Sequence, residues 1–256
     1  MPYSNALFFR RYDGGAGASS CPTVLLHGLG GSHLSWPPAI RRLPGHTVYA
    51  LDLPGHGKSD HSTCVEVECH TTALYRFIHN LGVGKVNLVG HSMGAMVALA
   101  FSSLYPKLLN KLSLLSMGEI YPFNELLEQY FSHEKTKEQA IKILLDEGFH
   151  SRYANDLRKK LLDPLYETRI SLLHADAQIG MNFNANEYVN DLRFPIQLAT
   201  GKDDALVPLA GVNKLADRIP HAKLTVIENC GHFMMHEKTE IARDHLLRFI
   251  TQDGWD

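Results

Sequence analysis

A serine flanked by glycines is the feature of this sequence with the clearest chemical potential. The segment Gly90-His91-Ser92-Met93-Gly94 follows a short apolar run and opens a longer one. A serine on a sharp strand-to-helix turn exposes its hydroxyl, which becomes a nucleophile when a base takes its proton. Small residues on both sides let the chain turn tightly. The segment therefore predicts a nucleophilic Ser92 at the start of a helix.

A histidine and a carboxylate that could activate Ser92 stand late in the chain. His232 follows the last predicted strand, and Asp203 and Asp204 follow the strand before it. Nucleophilic serines commonly depend on a histidine base that a carboxylate holds in place. Because all these residues stand just past strand ends, they are expected at one edge of the sheet. The residues alone leave the acid open between Asp203 and Asp204, with Glu119 after another strand as a further alternative.

Two backbone N–H groups are predicted to stabilise the negative oxygen that forms when a serine attacks an acyl carbon. One belongs to Met93, the residue after the nucleophile. The other belongs to Leu29, in the glycine-rich loop His27-Gly28-Leu29-Gly30-Gly31. One such donor contributes roughly 10²–10³ in turnover. His27 is expected to orient this loop and not to transfer protons.

The elements that position these residues alternate between strand and helix patterns. Short, continuous apolar runs are typical of parallel strands covered on both faces. The segments between them have helical periodicity, which indicates crossover helices and an α/β fold. The predicted strands cover residues 6–12, 23–26, 47–51, 85–89, 111–115, 195–199 and 223–227. The predicted helices of this core cover residues 72–81, 93–105, 209–219 and 239–250.

One segment interrupts the alternation. Helical patterns without a convincing strand cover residues 123–131, 138–149, 153–162 and 168–177. The segment follows the carboxyl end of a predicted strand, which is where ligands bind in open α/β sheets. We therefore predict a helical cap over a pocket at residues 119–189, inserted into a core formed by residues 1–118 and 190–256.

Taken together, these motifs resemble those of the α/β-hydrolase superfamily over essentially the whole chain. The matching segments are His27-Gly28-Leu29-Gly30 with Trp36 beyond it, Asp52-Leu53-Pro54-Gly55-His56-Gly57-Lys58-Ser59, the segment around Ser92, Gly201 with Asp204 and Pro208, and Gly231-His232. The resemblance implies an α/β-hydrolase fold, with a mostly parallel central sheet flanked by helices and an inserted helical cap. It also implies a catalytic triad of Ser92, Asp204 and His232, because the family pattern selects Asp204 over Asp203. Within the superfamily, the chain is most similar to small capped carboxylesterases.

Eight residues near these motifs are candidates for the substrate pocket. They are His27, Gly28, Trp36, His91, Phe123, Leu127, Val207 and Phe233. Trp36 is equally compatible with the core. His91 is expected to turn its side chain out of the site, because the chain turns there. Periodicity does not decide which cap residues face the pocket.

Composition and charge exclude several other classes of protein. With 45% hydrophobic and 20% charged residues among 256, the chain is expected to fold around a sizeable core. A net charge of -2 provides no field to gather nucleic acid or an anionic membrane. The four cysteines contain no CxxC pair and are expected to be free thiols in a reducing cytoplasm. No apolar run approaches the ~20 residues of a membrane helix.

The 15 histidines raise the question of a metal site. His232 and His236 have a spacing that can bind metal on a helix, but His232 is needed as the base and no third ligand stands near them in the sequence. We therefore expect no metal and no cofactor. Because an ordinary histidine titrates at about pH 6.5, activity is expected to fall in acid as His232 takes a proton.

The residues and the resemblance predict a serine hydrolase that cleaves carboxylic esters through an acyl-enzyme intermediate. Lactone hydrolysis and C–C bond hydrolysis of meta-cleavage products are alternatives on the same scaffold. The C–C hydrolases usually have asparagine where this chain has His91, which disfavours that alternative. A ligand-sensing, receptor-like module is an alternative of another class, since one fold hosts many functions. The expected partner is a small-molecule ester, with no nucleic acid or membrane, and the chain is expected to be a monomer or small homo-oligomer.

Overall fold

A twisted sheet of eight strands forms the centre of the protein, in the order β1-β2-β4-β3-β5-β6-β7-β8. The computed structural model describes residues 3–4, 7–15, 17–60, 64–120, 125–150, 157 and 164–252. The strands are β1 (Tyr3–Ser4), β2 (Leu7–Tyr12), β3 (Thr23–Leu26), β4 (Val48–Leu51), β5 (Val86–His91), β6 (Leu109–Leu115), β7 (Ile196–Gly201) and β8 (Lys223–Ile227). Strands β1, β2 and β4 pair antiparallel, and every other neighbouring pair is parallel.

The central strands are buried along their whole length. All residues of β3, β5 and β7 are buried, and only one residue of β6 is partly exposed. Burial on both faces explains the continuous apolar runs, because helices cover a parallel sheet on either side. The predicted α/β fold with a mostly parallel sheet is confirmed. The structure adds the short antiparallel strand β1, which sequence patterning did not predict.

Helices cover both faces of the sheet. They are α1 (Pro38–Arg41), α2 (Val67–Asn80), α3 (Met93–Leu104), α4 (Glu125–Phe131), α5 (Lys137–Gly148), α6 (Ile170–Asn182), α7 (Leu209–Arg218), α8 (Met234–Glu237) and α9 (Thr239–Thr251). The apolar helix α3 lies in the centre, and its first ten residues are all buried. None of the helices in the described part of the chain combines the length and the apolar character that crossing a membrane requires.

Helices α4, α5 and α6 lie between β6 and β7 and share a hydrophobic cluster separate from those of the sheet. We call residues 125–150 and 164–182 the cap. Its cluster is built around Leu127, Phe131, Ile141 and Leu173, all of them buried. The helix predicted over residues 153–162 lies outside the described residues, except for residue 157.

The expectation of four free thiols is wrong for one pair. Cys64 and Cys69 form a disulfide at the start of α2, where the turn into the helix brings their Cα atoms within 5.7 Å. Cys21 and Cys230 are free thiols, and burial raises the pKa of both.

Glycines allow β3, β5 and α3 to pack more closely than other residues permit. A Cβ atom at Gly94 would collide with the backbone carbonyl oxygens of Leu26 and His27, at the end of β3. A Cβ atom at Gly90 would collide with the backbone of Gly94 and Ala95. Because backbone atoms cannot yield as a flexible side chain does, both positions require glycine.

We predict that Gly94→Ala lowers the free energy of unfolding by roughly 1–3 kcal/mol or more, because the added methyl group must separate α3 from the end of β3. Gly84→Ala is the matched control, since a Cβ atom at Gly84 meets open space. Urea denaturation followed by circular dichroism measures both. Equal losses in the two variants would contradict the close-packing argument.

Candidate active site

Ser92 occupies the turn between β5 and α3 in a strained backbone conformation. Its φ of 55° and ψ of -122° lie in a region that a residue with a side chain rarely adopts. The Ser92 N–H donates to the Leu115 carbonyl at the end of β6 over 2.9 Å. This turn places the Ser92 side chain at the carboxyl edge of the sheet, where it lines a cavity.

The histidine predicted to serve as base is held by Asp204 and not by Asp203. Nδ1 of His232 lies 2.9 Å from Oδ2 of Asp204, and both side chains are almost completely buried. The other carboxylate oxygen of Asp204 accepts the Val207 N–H at 2.8 Å. Asp203 is half exposed and accepts the Cys230 N–H. With Nδ1 directed at a carboxylate, Nε2 is the nitrogen of His232 that remains to exchange protons.

Hydrogen bonds fix both backbone polar groups of His232, its carbonyl and its N–H. Its carbonyl accepts Nε2–H of His91 at 3.0 Å and the hydroxyl of Ser116 at 2.9 Å. Its N–H donates to the carbonyl of Gly148, at the end of cap helix α5, at 2.7 Å. Sequence analysis did not find Ser116, which lies 116 positions away and has a positive φ of 51°.

The prediction that the His91 side chain leaves the site is wrong. Its ring lines the cavity, with its centroid 4.9 Å from that of the His232 ring. The reason is the hydrogen bond to the His232 carbonyl, which draws the ring inward. Burial holds the pKa of His91 well below its usual range. His91 is therefore a neutral donor that positions His232.

Glu237 also fixes the histidine loop. Its Oε2 accepts the N–H groups of Gly231 at 2.9 Å and of His150 at 3.1 Å. The carboxylate therefore joins the loop that carries His232 to the segment after α5. Burial raises the pKa of Glu237, although the N–H donors oppose that shift. No local sequence pattern indicates the contact with His150, because it spans 87 positions.

The loop after β3 holds the peptide whose N–H is the predicted oxyanion donor. Nε2 of His27 accepts the Leu53 N–H at 3.0 Å, so Nδ1 carries the ring proton and donates to the Gly28 carbonyl at 2.8 Å. In a trans peptide the C=O and N–H groups point in opposite directions. Anchoring the Gly28 carbonyl therefore fixes the direction of the Leu29 N–H.

Burial lowers the pKa of His27 to about 3, so its tautomer stays fixed across the ordinary pH range. The loop also lies directly against the turn that carries Ser92. A Cβ atom at Gly28 would be 3.2 Å from Cβ of Ser92. Met93 is the first residue of α3, where a backbone N–H has no acceptor within the helix. Both predicted oxyanion donors thus belong to segments that adjoin Ser92.

A cavity of about 230 Å³ opens at Ser92 and His232. It is lined by Gly28, Leu29, Gly30, Gly31, Ser32, Leu34, Ser35, His91, Ser92, Leu144, Pro164, Leu165, His232, Phe233, Met235 and His236. The lining is mostly apolar, and neither lysine nor arginine contributes to it among the described residues. Of the eight pocket candidates, Gly28, His91 and Phe233 lie in this lining.

The structure places four other pocket candidates elsewhere. Trp36 is 1% exposed and packs in the core with Ile40. Val207 is buried in the cluster between sheet and helices, and Leu127 packs within the cap. The His27 ring does not line the cavity, and both of its nitrogens bind backbone groups, of Gly28 and Leu53. The fifth, Phe123, lies outside the described residues.

Several of the remaining histidines are structural. Nδ1 of His33 lies 2.7 Å from the buried carboxylate of Asp52, which also accepts the backbone N–H groups of His33 and Lys58. Burial alone would raise the pKa of Asp52, but these donors hold it below its usual range. Nε2 of His236 lies 2.8 Å from the Ser35 carbonyl. Within the described residues, no three His, Cys, Asp or Glu side chains are grouped to hold a metal ion.

The fold and this arrangement at the carboxyl edge of the sheet define a family. A sequence profile described as the alpha/beta hydrolase fold matches residues 22–239, and the chain belongs to that family.

Known relatives and solved structures agree with this assignment. The chain is 29% identical to a 2-hydroxy-6-oxononadienedioate/2-hydroxy-6-oxononatrienedioate hydrolase from Paraburkholderia phymatum, over 94% of this chain and 90% of the relative. It superposes on the enol-lactonase from Burkholderia xenovorans with a TM-score of 0.88, at 18% identity over 97% and 98% of the two chains. For an esterase from Exiguobacterium antarcticum the TM-score is 0.87, at 18% identity over 96% of both chains. The comparisons support a hydrolase.

We predict that the buried His70 makes the protein less stable in acid. Its two ring nitrogens have no hydrogen-bond partner among the described residues, and burial lowers its pKa to about 4. Between pH 6 and pH 5 the unfolded chain takes up a proton at this residue that the folded chain refuses, so stability falls as the pH falls. His70→Leu should reduce that loss by roughly 1 kcal/mol, given about 1.4 kcal/mol per proton and pH unit.

Urea denaturation at pH 6 and pH 5 measures this difference. The control is His79→Leu, at an exposed position on the same helix, which should leave the pH dependence as it is in the wild type. If the free energy of unfolding changes equally with pH in His70→Leu and His79→Leu, His70 is not the source of the acid sensitivity.

Proposed function

We propose that this protein is a serine hydrolase that cleaves carboxylic esters of small, apolar substrates through an acyl-enzyme intermediate. The observation that carries the proposal is that Ser92, on its strained turn, shares one cavity with His232, whose Nδ1 is directed at Asp204. This set of side chains matches the roles of nucleophile, base and orienting acid.

In the proposed reaction, Nε2 of His232 takes the proton of the Ser92 hydroxyl as its oxygen attacks the acyl carbon. The carbonyl electrons move to the acyl oxygen, which the N–H groups of Leu29 and Met93 stabilise. As the tetrahedral intermediate collapses, the bond to the alcohol breaks and His232 returns its proton to the leaving oxygen. A water molecule, deprotonated by the same nitrogen, then releases the acid and restores Ser92. Asp204 stabilises the imidazolium that forms in both steps.

The lining of the cavity supports a neutral substrate. Most of its surface is apolar, and several leucines, Phe233 and Met235 belong to the lining. A volume of about 230 Å³ lies below the ~300–1,000 Å³ typical of drug-sized ligands. Small esters with short acyl chains fit this description better than long-chain lipids. Burial of a short apolar acyl group in such a cavity contributes favourable binding free energy and requires no charged partner.

C–C bond hydrolysis is the second candidate, favoured by the name of the relative from Paraburkholderia phymatum. That name describes a dicarboxylate substrate. A carboxylate in a buried pocket needs a cationic or multiple hydrogen-bonding partner, most often arginine. His91, which lines the cavity, is held neutral, and neither arginine nor lysine lines the described part of it. These observations favour the ester over the dicarboxylate.

A panel of p-nitrophenyl esters, an aryl lactone and a vinylogous 1,5-diketone with a terminal carboxylate tests the proposal. We expect the highest kcat/KM for acetate or butyrate esters and a decline toward decanoate. Ser92→Ala should lower kcat by about 10⁴-fold or more, while the fold, judged by circular dichroism, stays the same.

Turnover of the diketone without turnover of any ester would overturn the ester assignment in favour of C–C hydrolysis. Absence of turnover on the whole panel would favour a ligand-sensing module. Equal turnover by Ser92→Ala and the wild type would remove Ser92 from the mechanism altogether.

A further inference from the structure

A buried pair of a histidine and a carboxylate connects the cap to the loop that carries the predicted oxyanion donor. Oδ2 of Asp176, on cap helix α6, lies 2.8 Å from Nε2 of His56, and neither side chain is exposed. The same oxygen accepts the backbone N–H of Gly30 at 2.8 Å. Gly30 directly follows Leu29, so a cap carboxylate holds the peptide next to the oxyanion donor.

The hydrogen bonds of His56 determine its charge. Its Nδ1 faces the Pro54 carbonyl at 3.0 Å, and a carbonyl can only accept. Its Nε2 faces the carboxylate of Asp176. A histidine with an acceptor at each nitrogen donates from both when it is an imidazolium. Burial favours the neutral ring, but the charge and hydrogen bond of Asp176, with the Pro54 carbonyl and the more distant Asp52, together outweigh it and raise the pKa of His56.

The groups that face His56 from other elements do not supply a competing carboxylate contact. The ring of His27, from the loop after β3, lies 4.8 Å away between centroids, and that of His70, on α2, lies 6.4 Å away. Burial lowers the pKa of both of these histidines. Asp52, at the end of β4, adds a weaker attraction at longer range.

The cap touches Gly30 at further points. Oγ1 of Thr168 lies 3.2 Å from the Gly30 carbonyl and 2.8 Å from the Pro164 carbonyl, so its one proton is shared between these two acceptors. Gly30 has a positive φ of 62°, and a Cβ atom there would lie 2.6 Å from the ends of the Leu165 and Leu173 side chains. The N–H, the carbonyl and the α-carbon of this one residue are thus all covered by the cap.

Two buried groups therefore fix the two peptides on either side of the Leu29 α-carbon. His27, from the core, anchors the Gly28 carbonyl, and Asp176, from the cap, anchors the Gly30 N–H. A peptide anchored on one side only can still rotate about the free φ and ψ of the next residue. Both anchors together restrict the direction in which the Leu29 N–H points.

We propose that Asp176, held by a positively charged His56, is a positioning residue through which the cap sets the oxyanion loop in its catalytic orientation. This inference rests on the proposed function for its effect on catalysis, because the Leu29 N–H is an oxyanion donor only if an acyl transfer takes place. The charge state of the pair does not depend on that function.

The first arm of the test needs no substrate. Nitrogen-15 NMR of histidine-labelled protein at pH 7.5 should show His56, assigned by comparison with His56→Gln, with both ring nitrogens protonated. In Asp176→Asn that imidazolium signal should disappear. A His56 that is neutral in the wild type at pH 7.5 would overturn the proposed pair, whatever reaction the protein catalyses.

The second arm measures the oxyanion loop. A trifluoromethyl ketone forms a hemiketal oxyanion with a serine, whereas the corresponding methyl ketone serves as a ground-state analogue. Asp176→Asn should weaken binding of the trifluoromethyl ketone by about 10- to 100-fold, which is somewhat less than the effect of removing a whole oxyanion donor. The same variant should leave methyl ketone binding nearly unchanged, and kcat should fall more than KM rises.

Glu128→Gln is the matched control. Glu128 on α4 pairs with His174, which lies on the same helix α6 as Asp176. The variant therefore makes the same carboxylate-to-amide change at another pair of a carboxylate and a histidine in the cap, without touching Gly30. Equal losses of affinity for the trifluoromethyl ketone in Asp176→Asn and Glu128→Gln would show a general effect on the cap and overturn the positioning role. If Asp176→Asn does not fold, His56→Gln removes the partner that holds Asp176 and should weaken binding of the same inhibitor by about two- to tenfold. An unchanged affinity in His56→Gln would contradict the proposal.

The two proposals fail in different ways. If the wild type hydrolyses no ester and binds neither ketone, the proposed function fails, while the NMR signal of His56 still decides the ion pair. If the wild type hydrolyses esters but Asp176→Asn behaves like Glu128→Gln, only the positioning role fails.

Discussion

The close approach of the loop after β3 to the turn between β5 and α3 is the constraint on which the rest of the site depends. Gly94 brings the first turn of α3 against the carbonyl oxygens of Leu26 and His27, and Gly28 lies against Ser92. This contact sets the distance between Ser92 and the loop that holds the Leu29 N–H. The strained backbone of Ser92 persists because buried strands on both sides hold it.

Buried histidines hold the loops around that contact, and each has a different partner. His27 and His91 are neutral donors to backbone carbonyl groups, one in the loop after β3 and the other in the loop of His232. His56 faces a carboxylate of the cap and a backbone carbonyl. A histidine can take either form with a small change of surroundings, which suits it to such joints between loops. Several of the 15 histidines thus hold the loops around the site.

Much of the core could be predicted from the sequence, whereas most of the supporting contacts could not. The strand Thr23–Leu26 and the start of helix α3 follow directly from local apolar patterning. The residues alone leave the acid open between Asp203 and Asp204; the resemblance to the family favours Asp204, and its hydrogen bond to His232 agrees with that expectation. No local pattern indicates the contacts that Ser116, Asp176 and Glu237 make with the loops around the site, since their partners lie far away in the sequence. For Asp176, a single carboxylate among the buried alanines of α6 was the available signal.

The most direct test of the account is the mass of the protein during turnover. If Ser92 is the nucleophile in ester hydrolysis, acid quenching of a reaction with p-nitrophenyl butyrate should trap one butyryl group, and peptide mapping should place it on Ser92. His232→Ala should form this adduct far more slowly. Two results would contradict the account. One is turnover of the ester with the butyryl group on a residue other than Ser92. The other is a burst of nitrophenol in rapid-quench samples that contain no covalent adduct.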